Sequence, residues 1–265
     1  MIPKNRLFFK YFLNLLFPFP VKSCILCGEV IVAMQKWETH LHTKKGSGCG
    51  QVSTRNVAKI YAKAGYTGIV VTNHFNLTNF RTYYKGRKIN WVSRFLKEYR
   101  SLKKHCAKYG IKVLLGLEMC LAGDEYTKEK PEYSELLVYG VTPDELDDFG
   151  LNILYRTQKD FFDLCNQNGW ICGQSHPFRT DNVKQLDFTL MHFLEAYNGH
   201  VRHENRNDLA AQTAEKYNLI PIGGSDFHKP EDFGCGLLFP DDMTIDTEKD
   251  FARAVLSGKG KIIYR

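Results

Sequence analysis

From Gln35 onward the chain alternates short apolar runs with stretches of helical periodicity, and this alternation narrows the folds open to it more than any other feature. Apolar run followed by helix, repeated, is the pattern of β/α units wound around a mainly parallel sheet. The runs Gly68-Ile69-Val70-Val71-Thr72 and Val113-Leu114-Leu115-Gly116-Leu117 read as buried strands. Further strands are predicted at Leu136 to Tyr139, Trp170 to Gly173, Phe193 to Tyr197 and Leu219 to Ile222. Between them, Ser53 or Thr54 starts a helix in which Val57, Ile60, Tyr61 and Ala64 share one face, and Gly65 ends it. A longer helix covers Trp91 to Tyr109 and stops at Gly110; others cover Gln158 to Asn168, Glu204 to Tyr217 and Glu248 to Leu256. No repeat or low-complexity linker interrupts the series, so residues 34–265 read as one α/β domain, a β/α barrel.

Side chains able to hold a metal fall at the ends of these strands. His40 and His42 close the first one, His74 follows Ile69-Val70-Val71, and Glu118 follows Val113-Leu114-Leu115. His176 follows Trp170-Ile171-Cys172, while Asp226 and His228 follow Ile220-Pro221-Ile222. A parallel barrel delivers the C-terminal ends of its strands to one rim, so residues far apart in sequence are expected to meet there. Alone, His40-Leu41-His42 is most simply two surface histidines, and Asp226-Phe227-His228 a capped turn. Their occurrence together, with His74, Glu118 and His176 between them, makes coincidence a poor account.

Two carboxylates and five imidazoles suit two or three divalent ions, with Zn, Mn or Fe favoured over the all-oxygen preferences of Mg and Ca. Such ions polarise phosphoryl oxygens and activate water to hydroxide, so no serine or cysteine nucleophile is required. A formal charge of +7, with the basic residues scattered, favours anionic substrates. A small phosphorylated molecule is the economical partner; nucleic acid is a second choice, because Lys97, Arg100, Lys103 and Lys104 read as a solvated helix face. His105, His192, His200 and His203 read as structural or loop residues.

Eight cysteines spread through a chain of 265 residues imply reduced thiols and a cytoplasmic setting. Cys24 and Cys27 form a CxxC with no second pair, read as incidental spacing. Residues 1–33 carry five phenylalanines without periodicity, and Lys10 interrupts the run that a signal peptide or membrane span would need. We expect them to be an extension outside the domain, with Met34 the natural start.

The segments Glu38-Thr39-His40-Leu41-His42-Thr43, Thr72-Asn73-His74, Gly116-Leu117-Glu118, Ser175-His176-Pro177-Phe178-Arg179 and Gly224-Ser225-Asp226-Phe227-His228 together resemble the PHP (polymerase and histidinol phosphatase) family. The resemblance runs from about Gln35 to the C-terminus. It implies a distorted seven-stranded β/α barrel, TIM-like in plan, with a di- or trinuclear centre that hydrolyses phosphate esters, as in phosphatases of the histidinol phosphate or nucleotide type. By this resemblance His40, His42, Glu118 and Asp226 hold a first ion, Glu118 and His176 a second, and His74 and His228 a third. Asp226, His228 and Arg179 would be the catalytic set, with Arg179 gripping the substrate phosphate or forming a structural ion pair. Glu195 and Asn198 would support the ligands or touch substrate.

The sequence departs from the family pattern in three places. Asn73 stands where aspartate is usual; the loop after His42 lacks the customary acid or histidine, for which Cys49 could substitute, although a buried or merely reduced thiol is the safer reading; and no histidine lies between Glu118 and His176. Two other readings stay open: an amidohydrolase-type barrel cleaving C–N bonds, which also begins with His-x-His, and a metal-binding regulatory protein without turnover.

Overall fold

The structure is a computed structural model that describes residues 25–26, 29–30, 34–84, 91–125, 128 and 131–265. Ile25–Leu26 and Glu29–Val30 pair as an isolated antiparallel ladder. Apart from that ladder, the expectations for residues 1–33 and for Cys24 and Cys27 lie outside the described residues.

The remaining chain forms one curved sheet wrapped by seven helices. In chain order the elements are β1 (Met34–Glu38), α1 (Thr54–Lys63), β2 (Gly68–Val71), β3 (His74–Phe75), α2 (Leu77–Tyr83), α3 (Trp91–Ala107), β4 (Lys112–Met119), β5 (Leu136–Tyr139) and α4 (Pro143–Phe149). Then follow α5 (Gln158–Asn168), β6 (Ile171–Gln174), β7 (Phe193–Asn198), α6 (Asn207–Lys216), β8 (Ile220–Gly224), β9 (Gly236–Pro240), α7 (Glu248–Leu256) and β10 (Lys261–Ile263). Strand order is β8-β7-β6-β5-β4-β2-β1-β9-β10, with β3 paired to the end of β4. Seven of these strands, β1, β2 and β4 to β8, make the expected barrel wall, and the antiparallel pair β9–β10, joined through α7, is an addition that fills the gap between β1 and β8. At that seam Gly223 is pressed so close to the pair that a Cβ there would lie 2.6 Å from Ile262.

The wall is not uniformly parallel. β5 runs antiparallel to both β4 and β6, whereas β1, β2 and β4 are parallel to one another, as are β6, β7 and β8. Two reversals in succession return β6 to the direction of β4. Six strands therefore deliver their C-terminal ends to one rim, and β5 delivers its N-terminal end to the same rim.

Two apolar layers hold this arrangement. The outer layer joins sheet to helices through residues such as Val57, Ile69, Phe95, Leu115 and Phe161. The inner cluster takes side chains from all seven wall strands, among them Trp37, Val70, Leu114, Tyr139, Phe193 and Ile222. Phe251 and Val255 of α7 join it, with the Phe251 ring 5.5 Å from Trp37 and 5.2 Å from Tyr139, so α7 stoppers the end of the barrel away from the ligand rim. Side chains alternate along a strand. Leu114, Gly116 and Glu118 consequently share the inward face of β4: the first is barrel filling, the last a ligand candidate.

Helix ends follow the sequence chemistry. Thr142 and Thr247 complete capping boxes with Glu145 and Asp250, and Gly169 ends α5 in the left-handed region. The helix from Gln158 to Asn168 has the expected limits, whereas α6 begins at Asn207 rather than Glu204 because Arg206 turns left-handed ahead of it. Among the described residues no helix is long and apolar enough to cross a membrane.

Candidate functional site

Glu38 joins the first and last motifs. Its fully buried carboxylate accepts hydrogen bonds from the backbone N–H groups of Thr39, His40 and Ser225 at 2.9–3.0 Å and from the Tyr61 hydroxyl at 2.6 Å. Leu41 and Phe227 then form a parallel bridge, with His42 N–H donating to Phe227 O and Phe227 N–H donating to His40 O. Residues some 190 positions apart are thereby locked in register, and His40, His42 and Asp226 face one point. Gly224 permits the approach, since a Cβ there would sit 2.5 Å from the His40 Cβ.

The donors converge as the strand-end argument expects. His40 Nε2 and His42 Nε2 lie 3.1 Å apart, and each is 3.1 Å from an oxygen of Glu118 and 3.4 Å from Asp226 Oδ1. Glu118 stands at the centre, also reaching His176 Nε2 at 3.1 Å and His74 Nδ1 at 3.0 Å. His228 stacks on His42 with ring centres 4.5 Å apart and donates from Nδ1 to Asp226 O at 2.7 Å, which leaves Nε2 as the nitrogen available to a ligand-seeking ion. All seven residues expected as ligands are therefore brought together. Both His176 and Asp226 have positive φ, 30° and 49°, a conformation uncommon outside glycine and found where a site holds its side chains against local preference.

Arg179 is drawn inward. Its Nη2 donates to Asp226 Oδ2 at 2.6 Å and to Asn198 Oδ1 at 3.2 Å, and its Nε to Asn205 Oδ1 at 2.8 Å, all buried. Of the two roles expected for it, this geometry is that of the ion pair. Glu195 stands behind the ligands: Oε1 faces His40 Nδ1 at 2.8 Å, and Oε2 accepts from His176 N and Asn198 Nδ2. A carboxylate on the far nitrogen fixes the tautomer that leaves Nε2 available.

Three residues that the sequence reading missed or treated as ordinary belong to the cavity. Glu135 immediately precedes β5, and its side chain lies 3.2 Å from His74 Nδ1 and 3.6 Å from His176 Nε2. It lies between Glu118 and His176 in sequence, where no histidine is found, and groups with His74 and Glu118 as a possible ion-holding set. Cys49 has a sulfur within 4.8 Å of ligand atoms of His42, His74 and His228. His200, read as a loop residue, groups in the same way with Asp226 and His228, and its Nε2 faces Arg202 Nη2 at 2.8 Å. The other histidines keep their structural roles: His105 bonds Ser101 O on its own helix, and His192 packs beside Cys172. Asn73 holds the loop after His42, accepting from Thr43 N and Ser47 Oγ.

Electrostatics follow from crowding charges in a buried space. Burial works against a charged His40, but Glu118, Glu195 and Asp226 overcome it and hold its pKa well above the ordinary value. Burial likewise opposes ionisation of Glu118 and Asp226, and neighbouring imidazoles, chiefly His40, outweigh it and push both well down. Glu135 is raised, by burial first and by Glu118 second. Desolvation alone would raise the Cys49 thiol, yet His74 and His42 bring it to about 4. Burial lowers His200 to about 3, so it stays neutral.

Divalent ions fit this donor set. Imidazole nitrogens and carboxylate oxygens point at common centres without apolar filling, and the buried His74 Nδ1 has no partner in hydrogen-bond geometry although two carboxylates lie within 3.2 Å of it. A cation satisfies such nitrogens where another imidazole cannot. Above the donors opens a cavity of about 450 Å³ rimmed by Arg202, His203, Lys229, Gln51, Thr78 and Tyr133.

A family profile described as PHP domain matches residues 38–218, and one described as PHP-associated matches residues 204–259. Among solved structures, the chain is similar to a two-domain protein from Bacteroides vulgatus containing a predicted PHP-like metal-dependent phosphoesterase, with TM-score 0.60 and 15% identity over 88% of this chain. It spans 66% of that protein's length. PsfC from Pseudomonas syringae follows with TM-score 0.57 and 14% identity, covering 88% of this chain and 92% of that one. A lesion-specific endonuclease from Pyrococcus furiosus gives TM-score 0.55 and 14% identity, covering 87% of this chain and 58% of that one. No curated protein matches at a significant level. Identities this low establish the shared fold.

Proposed function

The chain belongs to the PHP domain family, and from that premise we propose that it is a metal-dependent phosphomonoesterase acting on a small phosphorylated substrate. One observation carries this reading: Glu118 touches His40, His42, His74 and His176 at 3.0–3.1 Å, the geometry of a carboxylate placed to bridge ions. His40, His42, Glu118 and Asp226 would hold one ion. Glu118, Glu135 and His176 would hold a second, and His74 with His228 borders a third position. When bound, closely spaced divalent ions polarise phosphoryl oxygens and acidify water.

The protein's own groups supply the rest. Asp226, held between His40 and Arg179, stays ionised at any working pH. Arg179 positions that carboxylate and leaves the outer cations, Arg202 and Lys229 at the cavity rim, to draw in the anionic substrate. Arg202 is itself fixed by two bonds to Asp232 at 2.6 and 2.9 Å, so its charge is presented in a set place. His200 remains neutral beside Arg202, with its Nε2 facing the guanidinium, and so adds no second positive charge there.

The test is phosphate release from a panel of monoesters, diesters and amides by the metal-loaded protein and by Asp226→Ala and His42→Ala. Monoester turnover that chelation abolishes and both substitutions reduce by several orders of magnitude, with circular dichroism unchanged, supports the reading. Preferential diester cleavage would favour nucleic acid, a possibility motivated by the similarity to an endonuclease. Amide turnover, or bound metal without turnover, would replace it with one of the other two readings.

A further inference from the structure

We propose that Cys49 is a thiolate ligand, and that with His74 and His228 it forms a zinc-selective position distinct in chemistry from the imidazole–carboxylate positions beside it. The proposal rests on the reading of this cavity as a multinuclear metal centre and specifies which ion one part of it takes. The grouping of Cys49, His42, His74 and His228 within 4.8 Å contains no carboxylate. His42 is engaged elsewhere, with Nε2 at 3.1 Å from Glu118 and Nδ1 at 3.0 Å from Ser47 Oγ. That leaves one sulfur and two imidazoles as protein ligands, and a fourth position open to the cavity that Cys49 lines. Three protein ligands with one open position is the arrangement of catalytic zinc, and sulfur among the donors favours zinc over manganese.

The loop that carries Cys49 is tied to the other ligands on both sides. Ser47 Oγ accepts from His74 N at 2.8 Å and bonds His42 Nδ1, while Gly46 N and Ser47 N donate to Thr43 O in a tight turn. Gly48 N donates to Asn79 Oδ1 at 3.0 Å. Past the cysteine, Gln51 N donates to His228 O at 3.0 Å, so the backbone two residues after the thiol is joined to one of its partner ligands. Such a loop sets the sulfur against the imidazoles before any ion arrives. Its partners are also prepared: His228 Nδ1 is occupied by Asp226 O, which directs Nε2 outward. The other described cysteines, Cys106, Cys120, Cys165, Cys172 and Cys235, are buried, and none joins a possible metal-holding group among the described residues. Ligation is a simple exchange: the Sγ–metal bond forms as a water leaves the ion, and any proton held by Cys49, His74 and His228 passes to solvent, with no change of oxidation state.

Cobalt(II) loading of the full chain tests this, because a cobalt–thiolate bond gives an intense near-ultraviolet charge-transfer absorption that imidazole and carboxylate ligands do not. The wild type is expected to show the band, to bind zinc more tightly than manganese at one position, and to lose alkylation of Cys49 by iodoacetamide once zinc is added. Cys49→Ser should lose the band and one equivalent of zinc, while cobalt retained on the His40, His42, Glu118 and Asp226 position keeps its weaker visible absorption. A wild type that binds cobalt without the band, or a Cys49→Ser protein that keeps both band and zinc, overturns the thiolate position and leaves the metal centre standing. A wild type that binds no metal at all overturns the centre itself, and the proposal with it.

Discussion

Arg179→Met removes a guanidinium while keeping most of the apolar stem, and the structure sets the size of the loss. The charge-assisted bond to Asp226 is 2.6 Å long between side chains 7% and 2% exposed, so solvent screens it little. Such a bond contributes about 1.5–3 kcal/mol, and the orphaned acceptor of Asn205 adds about 1 kcal/mol, whereas Asn198 Oδ1 keeps its bond from His200 N. The sum, about 2.5–4 kcal/mol, overlaps the cost of about 3–5 kcal/mol for removing one partner of a buried ion pair. Divalent ions change the account, because Asp226 then keeps a cationic neighbour and only the Asn205 contribution, about 1 kcal/mol, persists. Urea unfolding of wild type and variant, in EDTA and in saturating manganese, measures both differences. A loss below about 1 kcal/mol in EDTA, or an equal loss in both conditions, would refute the reasoning that Arg179 and an ion share the Asp226 charge.

Glu135→Gln should lower the bound-metal count by one by elemental analysis, while the His40–His42 position keeps its ion; an unchanged count would remove Glu135 from the ligand set. Phe251→Ala, which opens a hole beneath Trp37 and Tyr139 at the stoppered end of the barrel, should cost about 3–5 kcal/mol in denaturant unfolding. Without metal, stability should be greatest in mildly acidic solution. The raised His40 contributes fully below its unfolded value of about 6.5 and loses that contribution as pH rises through its folded value, and the raised Glu135 acts in the same direction above its own unfolded value, about 4.3. The depressed Glu118 and Asp226 contribute above their unfolded values, about 4, and lose it as pH falls. The depressed Cys49 and His200 act the other way, adding stability as pH rises toward their unfolded values of about 8.5 and 6.5. Urea midpoints in EDTA should therefore peak at roughly pH 6–7, where the raised His40, His74 and His228 begin to lose theirs, and metal should move the optimum upward, because ions replace protons on the imidazoles. A midpoint in EDTA that climbs steadily to pH 8 would contradict this.

Much of this site could be read from the sequence because strand direction and residue chemistry coincide in most of the wall. His40, His74, Glu118, His176 and Asp226 each follow an apolar run, and a run followed by a ligand is visible without coordinates. Glu135 was invisible to that rule: it precedes its run, and only the antiparallel pairing of β5 with β4 and β6 turns that position toward the rim. An acid abutting either end of a wall strand is the signal that would have found it. Cys49 could be named as a substitute ligand but not preferred as one, because its placement depends on bonds from Ser47 and Gln51 to residues distant in sequence. His200 required the Gly199 to Gly224 backbone contact, a feature of the folded sheet. The β9–β10 pair was likewise hidden, since Gly236–Pro240 and Lys261–Ile263 are short and neither carries a ligand.

The backward run of β5 separates what the barrel needs from what its mouth can vary. Leu137 and Tyr139 are committed to the filling, whereas Glu135 contributes to the ladder edge only through its carbonyl, which accepts from Ser175 N. Exchanging that one side chain for histidine, glutamine or aspartate would retune a cation's affinity while every strand kept its neighbours. A single substitution at this position can thus change which ion is favoured, leaving the architecture that presents it intact.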